Sequence, residues 1–216
     1  MLMLILALTG IFHIPSRIVL PSPDTEGGMS LFTALAQRRS VRSFSDTDST
    51  TLEQLSRLLW AAQGKTGTRG RRTAPSAGAT YPLEVLCCID RVSGAEPGLY
   101  RYDPVDHILS PTTFSVTGVN ASSIAEACHG QSWIGNASAI LVIVADYPRT
   151  TDHYGERGVR YVDMEAGHTG QNIYLMAAAL NLATCAVGAF DEDALTELLG
   201  LRGQTPVYIF PVGAPE

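Results

Sequence analysis

Apolar residues recur along this chain in two spacings, and each predicts a different element. Helical spacing first appears at Leu31, Ala34 and Leu35, with Ser30 placed to cap the N-terminus, and it runs out near Arg39. A clearer helix follows. Leu52, Leu55, Leu58, Leu59 and Ala62 share one face, Thr50 and Glu53 have the spacing of a capping box, and Gly64 is the stop. Short unbroken apolar runs predict buried strands at residues 83–89 and 139–145, the second covered on both faces. Residues 99–102 read as a shorter strand. Residues 206–212 read as a last one, its prolines near its ends, where a lost N–H matters least. Helical spacing returns at 122–129, 160–182 and 193–199. In the longest of these, Ala177, Ala178 and Ala179 form a thin face suited to close packing. The mixture predicts an α+β fold.

Residues 21–28, with two prolines and a Gly-Gly pair, read as a turn-rich linker. They divide the chain into an N-terminal segment with linker, 1–28, and a body, 29–216. Residues 1–14 are almost wholly apolar, broken by Thr9, Gly10 and His13. That is too short for a membrane span, which needs roughly 18 residues or more. One reading is the core of a signal peptide, although no Lys or Arg precedes it and no small-x-small cleavage site is clear. The other is a segment that covers an apolar surface, a partner subunit or the face of a membrane. Both stay open. A cytoplasmic location is favoured, with export or membrane association as the alternative.

Composition narrows the class. The chain has 216 residues, 45% apolar and 17% charged, which describes a folded globular body rather than a disordered one. A net charge of −6 argues against a nucleic-acid partner, which needs a basic footprint. Lys65 is the sole lysine among fifteen basic residues, so Schiff-base chemistry has one candidate, in a Gly-rich loop. The four cysteines make no C-x-x-C pair, and Cys87 and Cys88, neighbours in an apolar run, read as small buried hydrophobes.

Four local patterns could carry chemistry. Arg38, Arg39, Ser40, Arg42 and Ser43 put three guanidinium forks and two hydroxyls within six residues, a set suited to a phosphate. The cluster lies near a helix C-terminus, so side chains rather than backbone dipoles would supply the attraction. Residues 73–82, with Pro75, Ser76, Ala77, Gly78 and Pro82, form a stiff loop of small residues that a flat ring could approach. Glu165 and His168 have the Glu-x-x-His spacing of di-metal helices, but a second copy is missing, so no metal is expected. Val187, Gly188 and Ala189 leave backbone N–H groups accessible to a planar ligand. Gly64-Lys65-Thr66 imitates a phosphate-binding loop, but Leu59 occupies the position of its required glycine.

In this order the patterns resemble the FMN-dependent nitroreductase family, and within it the SagB-type dehydrogenase-like group. The likeness rests on Arg38-Arg39-Ser40-Val41-Arg42, residues 72–78 with Tyr81-Pro82, and Gly98-Leu99-Tyr100-Arg101-Tyr102 with His107. It continues through Glu165-Ala166-Gly167-His168, Gln171-Asn172, Gly188-Ala189-Phe190 and Pro211-Val212-Gly213. The resemblance implies a central mixed or antiparallel sheet flanked by helices, in an intertwined homodimer with FMN at the interface. It implies Arg38 at the FMN phosphate, Arg39 and Ser40 on the phosphate and ribityl side, and Arg42 at the N1–C2=O edge. There a fixed cation stabilises the charge of a reduced flavin. Pro75, Ser76, Ala77 and Gly78 would reach the FMN from the partner subunit. Val187, Gly188 and Ala189 would offer backbone near flavin N5.

The reaction so implied is ping-pong: NAD(P)H gives hydride to flavin N5, and a small planar acceptor such as a nitroaromatic or quinone receives it. No acid/base residue stands out. Two alternatives are carried, a SagB-like dehydrogenase of a heterocycle or peptide in a biosynthetic complex, and a non-enzymatic flavin-binding protein. Two departures from the group's pattern matter. Ala214 stands where a second phosphate-side cation is common, leaving Arg38, with Arg202 as a candidate replacement. The Lys-Tyr base pair of the azoline dehydrogenases is absent, Lys65 being followed by Thr66.

Overall fold

The computed structural model describes residues 15–67, 70–112 and 118–216, so the apolar segment 1–14 lies outside the described residues. Among the described residues nine strands run in chain order: β1 (Ile18–Val19), β2 (Thr50–Thr51), β3 (Leu83–Ile89), β4 (Val92–Ser93), β5 (Gly98–Asp103), β6 (Ile108–Pro111), β7 (Ala139–Ala145), β8 (Ala183–Thr184) and β9 (Thr205–Gly213). Seven form one sheet in the order β1-β6-β5-β3-β7-β9-β8, while β2 and β4 make a small parallel pair. Every pairing in the large sheet is antiparallel. Six helices accompany them: α1 (Leu31–Gln37), α2 (Leu52–Gln63), α3 (Ala121–Ala127), α4 (Pro148–Tyr154), α5 (Arg157–Ala179) and α6 (Glu192–Leu198).

The alternation of side chains along β7 explains the layering. Ala139, Leu141, Ile143 and Ala145 face one core with Leu55, Leu58 and Leu59 of α2 and Val162, Ala166 and Ile173 of α5. Ile140, Val142 and Val144 face the other, with Ile124 of α3 and Leu195 of α6. The sheet is therefore the middle of three layers. This is why β7 is apolar at every position: both faces are covered, and the covering does not require parallel neighbours.

Element ends differ from the sequence reading in instructive ways. The capping box of α2 is Thr51 with Gln54, one residue later than Thr50 with Glu53. Thr50 instead pairs with Val92 in the small sheet, and its Oγ1 is buried without a partner among the described residues. Thr51→Ala is therefore expected to destabilise the fold by about 1 kcal/mol, and Thr50→Val to leave it unchanged or slightly more stable; urea unfolding checks both. Gly64 does stop α2, but at φ −61° rather than in the left-handed region. It is glycine because a Cβ there would lie 2.2 Å from the Trp60 ring. The sheet also takes in residues that the sequence reading set apart from the body, just before the linker. Ile18 and Val19 pair with Leu109 and Ile108, and Leu20 is buried in the core. His107 anchors this entry, with Nδ1 2.8 Å from the Tyr102 hydroxyl and Nε2 2.7 Å from Ser56 Oγ and 3.1 Å from the Pro21 carbonyl.

Candidate functional site

The basic cluster lies where α1 ends. Ser30 caps that helix by accepting from the Thr33 N–H, and the chain leaves it at Arg38 in an extended conformation. Three residues later it is pinned, the Val41 N–H donating to the Thr184 carbonyl at 2.9 Å. Phe44, at the end of the cluster, is buried and bridges Pro215, and the Ser45 N–H donates to the Ala214 carbonyl at 3.0 Å. The C-terminal segment thus lies beside the cluster, but with an alanine side chain rather than a cation.

A tyrosine that the sequence reading passed over organises this region. Tyr174 of α5 accepts from the Ala186 N–H at 2.7 Å and is hydrogen-bonded to Ser40 Oγ at 2.9 Å. Its ring also carries the Arg38 guanidinium, 5.2 Å from the centroid. One side chain therefore ties Arg38 and Ser40 to the turn that leads into Val187 and Gly188. Val187 exchanges backbone hydrogen bonds with Ile209 of β9, which fixes the turn on the sheet. Gly188 follows, exposed, and among the described residues its N–H has no hydrogen-bond acceptor.

The three arginines differ in what they do. Arg38 is half-buried on Tyr174. Arg39 turns back, its Nη1 donating to the Ala36 and Arg38 carbonyls at 2.8 Å each. That arrangement satisfies open carbonyls at the end of α1. Arg42 is exposed, with its guanidinium 5.9 Å from the Trp133 ring centroid. Arg202, the candidate substitute cation, lines a different cavity with Leu86, Arg101 and Gln204.

Beside Gly188 opens a cavity of about 420 Å³, lined by Tyr147, Asp163, Gly167, Phe190 and Tyr208 among others. The Tyr147 hydroxyl donates to Asp163 at 2.7 Å. Burial, then this bond to a carboxylate, pushes the Tyr147 phenol well above its ordinary range. Tyr147 therefore stays protonated and acts through its hydrogen bond.

The loop 75–78 lies elsewhere. It meets α5 at Glu165, nine residues and so roughly 14 Å along the helix from Tyr174. Pro75 is exposed, and Gly78 adopts φ +59° where a Cβ would lie 2.6 Å from the Tyr154 hydroxyl. Within one chain, then, residues 38–42 and 187–189 come together and residues 75–78 stand apart. Glu165 and His168 also separate, the first buried and the second exposed, so they do not present both groups to one centre.

These features accord with the comparisons to known proteins. The sequence profile of the nitroreductase family matches residues 35–214. A Methanocaldococcus jannaschii protein that bears a provisional nitroreductase name is 44% identical over 191 residues, covering 88% of this chain and 93% of that protein. The crystal structure of a protein from Ralstonia eutropha, also provisionally named a nitroreductase, is similar with a TM-score of 0.76 at 30% identity, covering 96% of each chain. The microcin B17-processing protein McbC of Escherichia coli is 28% identical over 143 residues, 62% of this chain and 50% of that protein. Proteins of the nitroreductase fold generally bind FMN and are commonly homodimers. The match over residues 35–214 includes the basic cluster, Tyr174 and the Gly188 turn, and this chain belongs to the nitroreductase family, a family of oxidoreductases.

Proposed function

We propose that the chain is an FMN-dependent oxidoreductase that takes hydride from NAD(P)H and delivers it to a small planar acceptor such as a nitroaromatic or quinone. The observation that carries this reading is the convergence of Arg38, Ser40 and the unpaired Gly188 N–H through Tyr174.

The residues fit the cofactor. Arg38 has a guanidinium that is held from one side by Tyr174 and donates to no acceptor among the described residues, so its fork is available to a phosphate. Tyr174 accepts from Ala186, so its own proton can go to Ser40; the Ser40 proton is then free for a phosphate or ribityl oxygen. Gly188 offers an N–H at the mouth of the cavity, where flavin N5 would sit. Arg42 would supply positive charge to stabilise the reduced flavin, and its contact with Trp133 restricts where that charge lies. FMN, when bound, supplies the hydride exchange; the protein positions it and shapes the space above it.

The separation of residues 75–78 from the rest supports a site completed by a second copy. So do the exposed Leu31, Phe32 and Leu35 of α1 and Val159 and Met164 of α5, apolar surface that a partner copy would cover. The proposal is a homodimer in which Pro75, Ser76 and Ala77 of one protomer close over the cofactor of the other.

A second reading, oxidation of a heterocycle on a peptide, is favoured by the likeness to McbC. Turnover separates the two. With FMN and NADPH, the reductase reading expects consumption of a nitroaromatic or quinone at a rate at least tenfold above free FMN, and no oxidation of an azoline peptide. The opposite pattern would establish the second reading.

A further inference from the structure

The stretch from Arg72 to Tyr81 is the part of the candidate site under the most backbone strain. Gly78, Ala79 and Tyr81 have φ of +59°, +55° and +47°, and two of these carry side chains that disfavour that region. Such a conformation persists only where its surroundings impose it. Here the surroundings are one polar cluster under the loop. Ser76 Oγ accepts from the Tyr81 N–H at 2.9 Å, and Ser76 lies close enough to Glu165 to favour its ionised carboxyl. The Arg72 guanidinium stacks 4.4 Å from the Tyr81 ring centroid and donates to Gln63 Oε1 at 2.9 Å. Gln63 in turn donates to Thr169 Oγ1 at 2.8 Å, one turn of α5 beyond Glu165.

Glu165 is the anomaly in this cluster. Only 3% of its surface is exposed, and its Oε1 has no hydrogen-bond partner among the described residues. A buried carboxylate with an unpaired oxygen is costly, and a neutral carboxylic acid in the same place costs much less. We propose that Glu165 is a proton-operated latch: protonated, it holds the 72–81 loop in its strained shape, and ionised it releases it. The proposal rests on the reading that this loop closes over the FMN of the partner protomer, and it makes FMN retention the quantity that the latch controls.

The sign follows from which state hides the group. With the loop in place, burial raises the Glu165 pKa from 4.5 to about 7, against smaller opposing effects of the nearby Ser76 and the Arg72 charge. With the loop displaced, the carboxyl meets water and titrates in its ordinary range. The raised value means that the hold is complete below about 4.5, weakens as pH rises, and is lost above about 7. The charged and titratable groups of this cluster are Arg72 itself, then Tyr81 of the loop, Arg149 of α4 and Tyr102 of β5, which act on Arg72, and Tyr154 of α4 against Gly78; Tyr161 and His168 lie one turn to either side of Glu165 on α5. Of these, Arg72 is the one whose charge bears on Glu165. Its pull is partial, because the guanidinium is shared with Gln63 and Tyr81.

Glu165→Gln tests this, because the amide keeps an acceptor for Ser76 and stays neutral at every pH. FMN affinity is measured by quenching of flavin fluorescence for wild type and E165Q at pH 5.5 and pH 8. Titration of the FMN phosphate is common to both proteins and drops out of their ratio. The latch predicts that E165Q binds FMN more tightly at pH 8, and that its advantage over wild type grows by about tenfold between the two pH values. A ratio that stays constant, or an E165Q that binds more weakly at pH 8, overturns it. Should neither protein bind FMN at either pH, the cofactor reading falls, and hydrogen exchange at residues 76–81 decides the latch by itself. Greater protection in E165Q than in wild type at pH 8 supports it; equal protection ends it.

Discussion

Arg38→Ala is expected to weaken FMN binding by about 100-fold, and Arg39→Ala by less than about threefold. The two arginines are adjacent in sequence and identical in chemistry, so the difference comes wholly from where the chain puts them. Arg38 lies on the Tyr174 ring with its N–H groups uncommitted, so removing it takes away a charge-assisted fork on the phosphate, about 2–3 kcal/mol. Arg39 is occupied with the Ala36 and Arg38 carbonyls, so its loss frays the end of α1 more than it disturbs the cofactor. Ala214 sharpens the contrast, because an alanine stands where a second cation could have compensated for Arg38. Equilibrium titration of the two variants with FMN measures the effect, with thermal unfolding as a control for α1. A larger loss from Arg39 than from Arg38 would mean that the phosphate lies elsewhere.

Phe210→Ala is expected to destabilise the fold by about 3–5 kcal/mol. Phe210 is fully buried on β9, between the edges of Tyr174 and Tyr208, with ring centroids 5.6 Å and 4.9 Å away. Gly170 lies against its ring tip, where a Cβ would come within 2.7 Å of Cζ, so the pocket is shaped closely to the ring. The consequence reaches the site, because Tyr174 loses the packing that aims its hydroxyl at Ser40 and Ala186. Folded Phe210→Ala is therefore expected to bind FMN about tenfold more weakly, whereas Phe210→Leu keeps most of the volume and loses less than about 1.5 kcal/mol. Urea unfolding gives the first quantity. A loss below about 1.5 kcal/mol for the alanine variant would show that the core closes around the cavity.

How much of this was legible in the sequence depended on how local each feature is. The runs at 83–89 and 139–145 match β3 and β7 end to end, because a strand covered on both faces shows its burial throughout, at every position of β7 and at all but Glu84 of β3. Strands β1 and β8, two residues each, carry no period to read and exist through their neighbours. Helix α4 starts at Pro148 and follows β7 so closely that its turn was invisible in the pattern. In the site, the arginine cluster and the Gly188 turn were readable because charge and a missing side chain are local facts. Tyr174 was not, because its meeting with Ser40 spans 134 residues of sequence. Glu165 was noticed only for its spacing to His168, a shared centre that the missing second copy already argued against. Its place under the 72–81 loop has no local signal, since the two are some ninety residues apart in sequence.

The most direct test of the central claim is the visible absorption spectrum of the protein reconstituted with FMN and freed of excess cofactor, recorded before and after anaerobic addition of NADPH and NADH. The proposed function predicts a bound-flavin spectrum at about one FMN per protomer, bleached by a pyridine nucleotide and restored by a quinone or nitroaromatic. Protein that retains no flavin, or flavin that stays oxidised in both nucleotides, would contradict it.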